Sequence, residues 1–190
     1  MLIRCRIRVR DSTKTRTQPL SPACDHVDEC SQARGHRQND TGGEMNGWDR
    51  KFIEMAVLVS SWSKDPSTKV GCVIADSDHA QLSEGFNGFP RGIADNDRLH
   101  VREMKYRLIV HAEANAIAAA ARNGHSLKGA TAYVTFSPCP QCAALLIQAG
   151  IVRVVTIAGA TPAHWLAECE IAQAMLREAG VLYEEAVRTA

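Results

Sequence analysis

Apolar positions become periodic only from Trp48 onward. Trp48, Phe52, Met55, Ala56, Val59 and Trp62 fall at helical spacing and predict a first amphipathic helix. "KVGCVIA" (Lys69 to Ala75) is a β-branched run, "DSDH" reads as a turn, and "AQLSEGFNG" returns as a second strand, so the pair predicts a hairpin. Residues 88–110 read as loop, with Gly88, Pro90, Gly92 and a dense charge cluster. A helix is expected from about His111 to Asn123, stopped by Gly124. "ATAYVTF" (Ala130 to Phe136) predicts a strand. Ser137 then reads as an N-cap and Pro138 as the first residue of a third helix, which ends at Gly150. "VRVVTIA" is the next strand. Thr161-Pro162 opens a fourth helix that Gly180 closes, and "VLYEE" supplies a last strand. A leading helix followed by the order β-β-α-β-α-β-α indicates an α/β protein with a mixed sheet covered by helices.

Upstream of residue 46 the pattern is missing. "TKTRTQPLSPACDHVDECSQARGHRQNDTGGEMNG" is polar, carries Pro and Gly and shows no period, which predicts a disordered extension over residues 1–46 and one folded domain over 47–190. The start, "MLIRCRIRVRDSTK", alternates Arg with apolar residues and lacks the apolar core of an export signal. The seven cysteines are odd in number, which points to a reducing cytoplasm and to thiols or metal ligands instead of a disulfide framework. No apolar run is long enough for a membrane span. With a net charge of +1 and 5% aromatic residues, the chain offers neither the basic surface nor the stacking side chains expected for nucleic-acid binding.

The candidate chemistry lies in two short stretches. "HAEANAI" places His111 and Glu113 at the start of a predicted helix, and "SPCPQC" places Cys139 and Cys142 at the start of the next. Two residues apart on a helix means different faces, so His111 and Glu113 serve one site only if both lean over the helix tip. Cys139 and Cys142, three apart, can converge on one point, where a helix N-terminus favours thiolates. Two thiolates and one imidazole form a three-donor Zn2+ site with a fourth position open, the pattern of catalytic zinc. Glu113 then has no need to bind metal and can move protons. Alone, His111 reads as a partly buried histidine and the C-x-x-C as a redox or structural pair. Together, H-x-E and P-C-x-x-C form a zinc-deaminase signature. Cys24, His26, Cys30 and His36 match no strong metal-binding spacing.

The chain resembles the cytidine and deoxycytidylate deaminase superfamily from Trp48 to about Tyr183, and most narrowly its deoxycytidylate (dCMP) deaminases. "SKDPSTKVGCVI", "GFNGFPRG", "REMKYRLIVHAEANAI" and "YVTFSPCPQCAALLIQAGI" carry that narrower match. The resemblance implies a three-layer α/β/α fold with a five-stranded mixed sheet, and hydrolysis of dCMP to dUMP and ammonia that supplies thymidylate synthesis. It implies that Asn87 bonds the sugar, that Ser63, Lys64 and Lys69 meet the 5′-phosphate, and that Arg122 acts in trans at or near a neighbouring subunit's site, where it meets the dCMP phosphate. The plain readings are a turn asparagine beside Gly88, a solvated charged loop, and a solvated arginine complementing the dipole at its helix C-terminus. A homo-oligomer, often a hexamer in this family, and the effectors dCTP and dTTP are implied too. The competing readings are a zinc deaminase acting on another cytosine nucleotide or nucleoside or on tRNA adenosine, and a non-catalytic zinc module. An intact Glu113 weighs against the last.

Overall fold

The computed structural model describes residues 47–187. The expectations for residues 1–46, including the disordered extension and the cluster of Cys24, His26, Cys30 and His36, lie outside them. Among the described residues no helix is long and apolar enough to cross a membrane.

Helix α1 (Gly47–Ser60) leads into the hairpin β1 (Gly71–Ala75) and β2 (Gln81–Phe86). Then come α2 (Arg102–Leu108), α3 (Ala112–Asn123), β3 (Thr131–Val134) and α4 (Pro140–Gln148). The order closes with β4 (Arg153–Ile157), α5 (Leu166–Glu178) and β5 (Leu182–Ala186). The five strands form one sheet in the order β2-β1-β3-β4-β5. β1 pairs antiparallel with both β2 and β3, whereas β3, β4 and β5 run parallel. The sheet is therefore mixed, as the order of elements indicates.

Strand alternation sorts the core into two layers. Cys72, Ile74, Ala132, Val134 and Val154 face α3, α4 and α5, packing on Ala116, Ala143, Leu146 and Leu176. Val73, Ala75, Tyr133 and Val155 face the other way, against Phe52, Ile53, Ala56 and Val59 of α1. The alanine-rich face of α3 lets that helix lie close to the sheet. Gly85 of β2 makes the closest approach, since a Cβ there would overlap Ala112 O and Ala116 N. Asn115 of α3 also donates a 2.8 Å hydrogen bond to Phe86 O. Gly85→Ala is therefore expected to push the start of α3 off β2. The loss in unfolding free energy, read from denaturant midpoints, should reach the upper part of the roughly 1–3 kcal/mol range for overpacking. A midpoint equal to wild type would mean that this contact yields easily.

Several boundaries differ from the sequence reading. α2 lies inside the stretch read as loop. Its turns carry Arg102, Glu103, Lys105 and Arg107 instead of an apolar stripe, so no helical period is visible. α4 is capped by Cys139 with Pro140 in its first turn, not by Ser137 and Pro138. Ser137 N–H is taken by Thr161 Oγ1 at 2.9 Å, and Ser137 Oγ accepts from Tyr183 Oη at 3.1 Å. The S-P-C-P sequence holds a capping signal twice, and the first copy is spent on tertiary bonds. Thr161 in turn does not open α5, which begins at Leu166 after a short 3-10 turn over Ala163–Trp165.

Candidate metal centre

The site forms where α3 and α4 begin. His111 is the N-cap of α3, and Cys139 is the N-cap of α4. Neither side chain caps its own helix. In both places a metal-donor residue replaces the usual Ser, Thr, Asp or Asn, which leaves its side chain to point beyond the helix tip. Cys142, within the first turn of α4, joins them.

His111 Nδ1 lies 3.4 Å from Cys139 Sγ and 3.4 Å from Cys142 Sγ. The three donor atoms all fall within 4.8 Å of one another. That convergence, and a donor set of one imidazole and two thiols, fits zinc. Without a cation the two thiols compete for one negative charge. A hydrogen bond from Cys142 pulls the Cys139 thiol down to about 4, and His111 adds to that pull. The Cys142 thiol is pushed up by the same hydrogen bond and by burial. His111 is raised chiefly by its hydrogen bond to Cys139. A divalent cation among them removes the competition by favouring both thiolates.

Glu113 sits beside the cluster and outside it. The residue is 4% exposed, and burial raises its pKa above the ordinary carboxylate value. A cavity of about 280 Å³ opens against His111, Cys139 and Glu113. Tyr106, Phe136 and Trp165 give it aromatic wall, suited to a flat heterocycle. A carboxylate held in such a place, next to a metal position and open to a cavity, can take and return a proton.

The profile of the family described as the cytidine and deoxycytidylate deaminase zinc-binding region matches residues 46–158. The chain belongs to that deaminase family. Among its relatives is a protein of Aliivibrio fischeri described as an uncharacterized deaminase in the luxG 3′ region, 43% identical over 139 residues, covering 72% of this chain and 92% of that one. The deoxycytidylate deaminase of Homo sapiens is 35% identical over 145 residues, covering 73% of this chain and 79% of its own. The apo crystal structure of the dCMP deaminase from cyanophage S-TIM5 superposes with a TM-score of 0.61 at 25% identity, covering 74% of this chain and 98% of that chain. The three-layer α/β/α deaminase fold and its zinc centre thus agree with the reading from motifs.

The other residues singled out from the sequence fare differently. Asn87 lines the cavity, but its amide is engaged within the chain. Asn87 Oδ1 accepts from Val70 N at 2.8 Å, and Nδ2 donates to Thr68 O at 2.9 Å and to Asp65 Oδ2 at 3.4 Å. Its evident work is to pin the segment before β1 to the end of β2. Ser63 is buried and outside the cavity wall, donating to Asn87 O at 2.7 Å. Lys64 is also outside the wall, with its exposed ammonium 2.9 Å from Asp95. Lys69 is exposed and equally absent from the wall. The structure therefore does not bring Ser63, Lys64 or Lys69 to the cavity as the resemblance implied. Arg122 is exposed in the last turn of α3, away from its own cavity. Sequence reasoning passed over Lys105, which does reach the wall. No local signal marks it, since the stretch that forms α2 shows no helical period in the sequence.

Proposed function

We propose that this chain is a zinc-dependent deaminase that hydrolyses dCMP to dUMP and ammonia. The observation that carries this reading is the convergence of His111, Cys139 and Cys142, with a buried Glu113 outside that group of three and a cavity open to His111, Cys139 and Glu113. The choice of dCMP is supported by relatives named deoxycytidylate deaminase.

His111, Cys139 and Cys142 would hold the zinc, which supplies a Lewis acid able to make water acidic near neutral pH. Glu113 supplies the proton traffic. Its carboxylate accepts a proton from the attacking water and delivers it to N3 of cytosine as oxygen bonds to C4. Glu113 then takes the remaining proton from the new C4 hydroxyl and passes it to the exocyclic amine, so the C4–N bond breaks, ammonia leaves and the carbonyl forms. The buried place of Glu113 beside the metal donors and on the cavity wall suits this work. The buried setting and aromatic wall hold the ring and limit bulk water.

A cytoplasmic location, a homo-oligomer and regulation by dCTP and dTTP go with this reading and rest on the family likeness. The exposed position of Arg122 suits the expected role at a neighbouring subunit's site. Side-by-side assays of dCMP, CMP, dCTP, cytidine and adenosine on zinc-loaded protein test the substrate. The dCMP rate should exceed the others, and a chelator should abolish it. Turnover of cytidine or adenosine with none of dCMP would overturn the assignment.

A further inference from the structure

The cavity beside the metal centre contains one cationic side chain. Among the described residues that line it, Lys105 is the sole lysine or arginine. This residue is only 7% exposed, although it sits on the short, charge-rich helix α2. Its ammonium lies 3.1 Å from Asp65 Oδ1 and also donates to Ser67 Oγ.

A buried ion pair is not by itself a stabilising device, since an apolar pair of similar volume often does as well. Asp65 has other donors in any case. Its Oδ1 accepts from Ser67 N at 2.8 Å, Ser67 Oγ at 2.9 Å and Thr68 N at 3.1 Å. Burial pushes the Asp65 pKa up, but the bonds from Ser67 and Lys105 more than offset it and leave it below the ordinary value. Asp65 is thus a well-neutralised anchor. An ammonium has three N–H donors, and Asp65 and Ser67 account for two. Lys105 is fixed in the wall of the cavity, and the partner of its ammonium on the remaining side is the Tyr106 ring, 5.5 Å to the centroid, a weak contact that an anion can outcompete.

Resting on the dCMP reading, we propose that Lys105 recognises the 5′-phosphate of the nucleotide and that Asp65 positions it. This assigns to α2 the role that the resemblance implies for Ser63, Lys64 and Lys69, and it leaves any contact from a neighbouring subunit's Arg122 as an addition to it. The consequence is specificity, since a nucleoside offers the ammonium only a neutral hydroxyl where the nucleotide offers a charged phosphate. A compact, strongly hydrated point charge on a tethered stem suits a phosphate better than it suits a flat base.

The test uses the zinc-loaded full chain with Lys105→Gln, Lys105→Arg and the double variant Asp65→Asn/Lys105→Gln, which removes both partners in case the single change fails to fold. Calorimetric affinities for dUMP and deoxyuridine are measured beside the kinetics for dCMP and deoxycytidine. Lys105→Gln, or the double variant, is expected to weaken dUMP by roughly 10- to 150-fold, the range for a hydrogen bond to a charged group. Deoxyuridine affinity should stay within a few-fold, and the loss on dCMP should appear in KM more than in kcat. Lys105→Arg should restore part of the dUMP affinity. Equal losses for nucleotide and nucleoside, or an unchanged dUMP affinity, would overturn the proposal. If the wild type deaminates neither substrate yet prefers dUMP over deoxyuridine, and Lys105→Gln erases that preference, the phosphate anchor stands and the assigned reaction fails. A wild type with no preference for dUMP overturns the anchor itself.

Discussion

Glu113→Gln is expected to keep its zinc and lose roughly 10²–10⁴-fold in turnover, the range for general acid–base catalysis. The substitution preserves the shape of a side chain that is 4% exposed and so should disturb little of the packing around α3. It leaves His111, Cys139 and Cys142 untouched. What it removes is a group able to take a proton and give it back, because a carboxamide does neither near neutral pH. Burial raises the Glu113 pKa in the metal-free chain, so there the ionised carboxylate subtracts stability at neutral pH. The carboxamide carries no such penalty, and the melting temperature of the chelator-treated variant should equal or exceed that of chelator-treated wild type. Zinc content by metal analysis, kcat for dCMP and a thermal melt decide the matter. A Glu113→Gln protein that is folded but empty of zinc would make Glu113 a ligand, and the proton-shuttle assignment would be wrong.

The centre was legible because its signals are local. His111 and Glu113 are two residues apart, and Cys139 and Cys142 are three apart, so their relation survives any error in tertiary placement. The sheet was legible for a similar reason, since β1 and β3 are nearly continuous apolar runs bounded by turn residues. The rest of the cavity depends on contacts that no local pattern encodes. Lys105 meets Asp65 across forty positions of chain, and neither residue's surroundings suggest burial. Asn87 sits in good turn chemistry beside Gly88, and its amide bonds to Thr68 O and Val70 N, which the sequence alone cannot distinguish from bonds to a sugar. The displaced start of α4 has the same origin. Ser137 is a good N-cap by type, and only its bonds to Thr161 and Tyr183 remove it from that role.

Cys142→Ala is expected to abolish zinc binding and activity together and to lower the melting temperature. Cys142 is 2% exposed and lies within the first turn of α4, while its sulfur is 3.4 Å from His111 Nδ1. Alanine leaves two donors, which is too few for a zinc site that tethers the starts of α3 and α4. Bound metal stabilises the folded chain by mass action, and at a hundred-fold excess over Kd that contribution is about 2.7 kcal/mol. The variant forfeits this and also leaves a small void in the core, so its melt should fall to or below that of chelator-treated wild type. Cys169→Ala is the informative control. Cys169 is equally buried, lines the cavity beside Cys139 and bonds Ser137 O at 3.6 Å through its sulfur, yet it stands outside the group of three donors. It should retain one zinc per chain. Loss of zinc from Cys169→Ala with retention in Cys142→Ala would show that the third donor is Cys169. Loss from both, with intact far-ultraviolet circular dichroism, would mean that the loop carrying Ser137 and Cys139 must be braced by Cys169 before the thiolates can meet the metal.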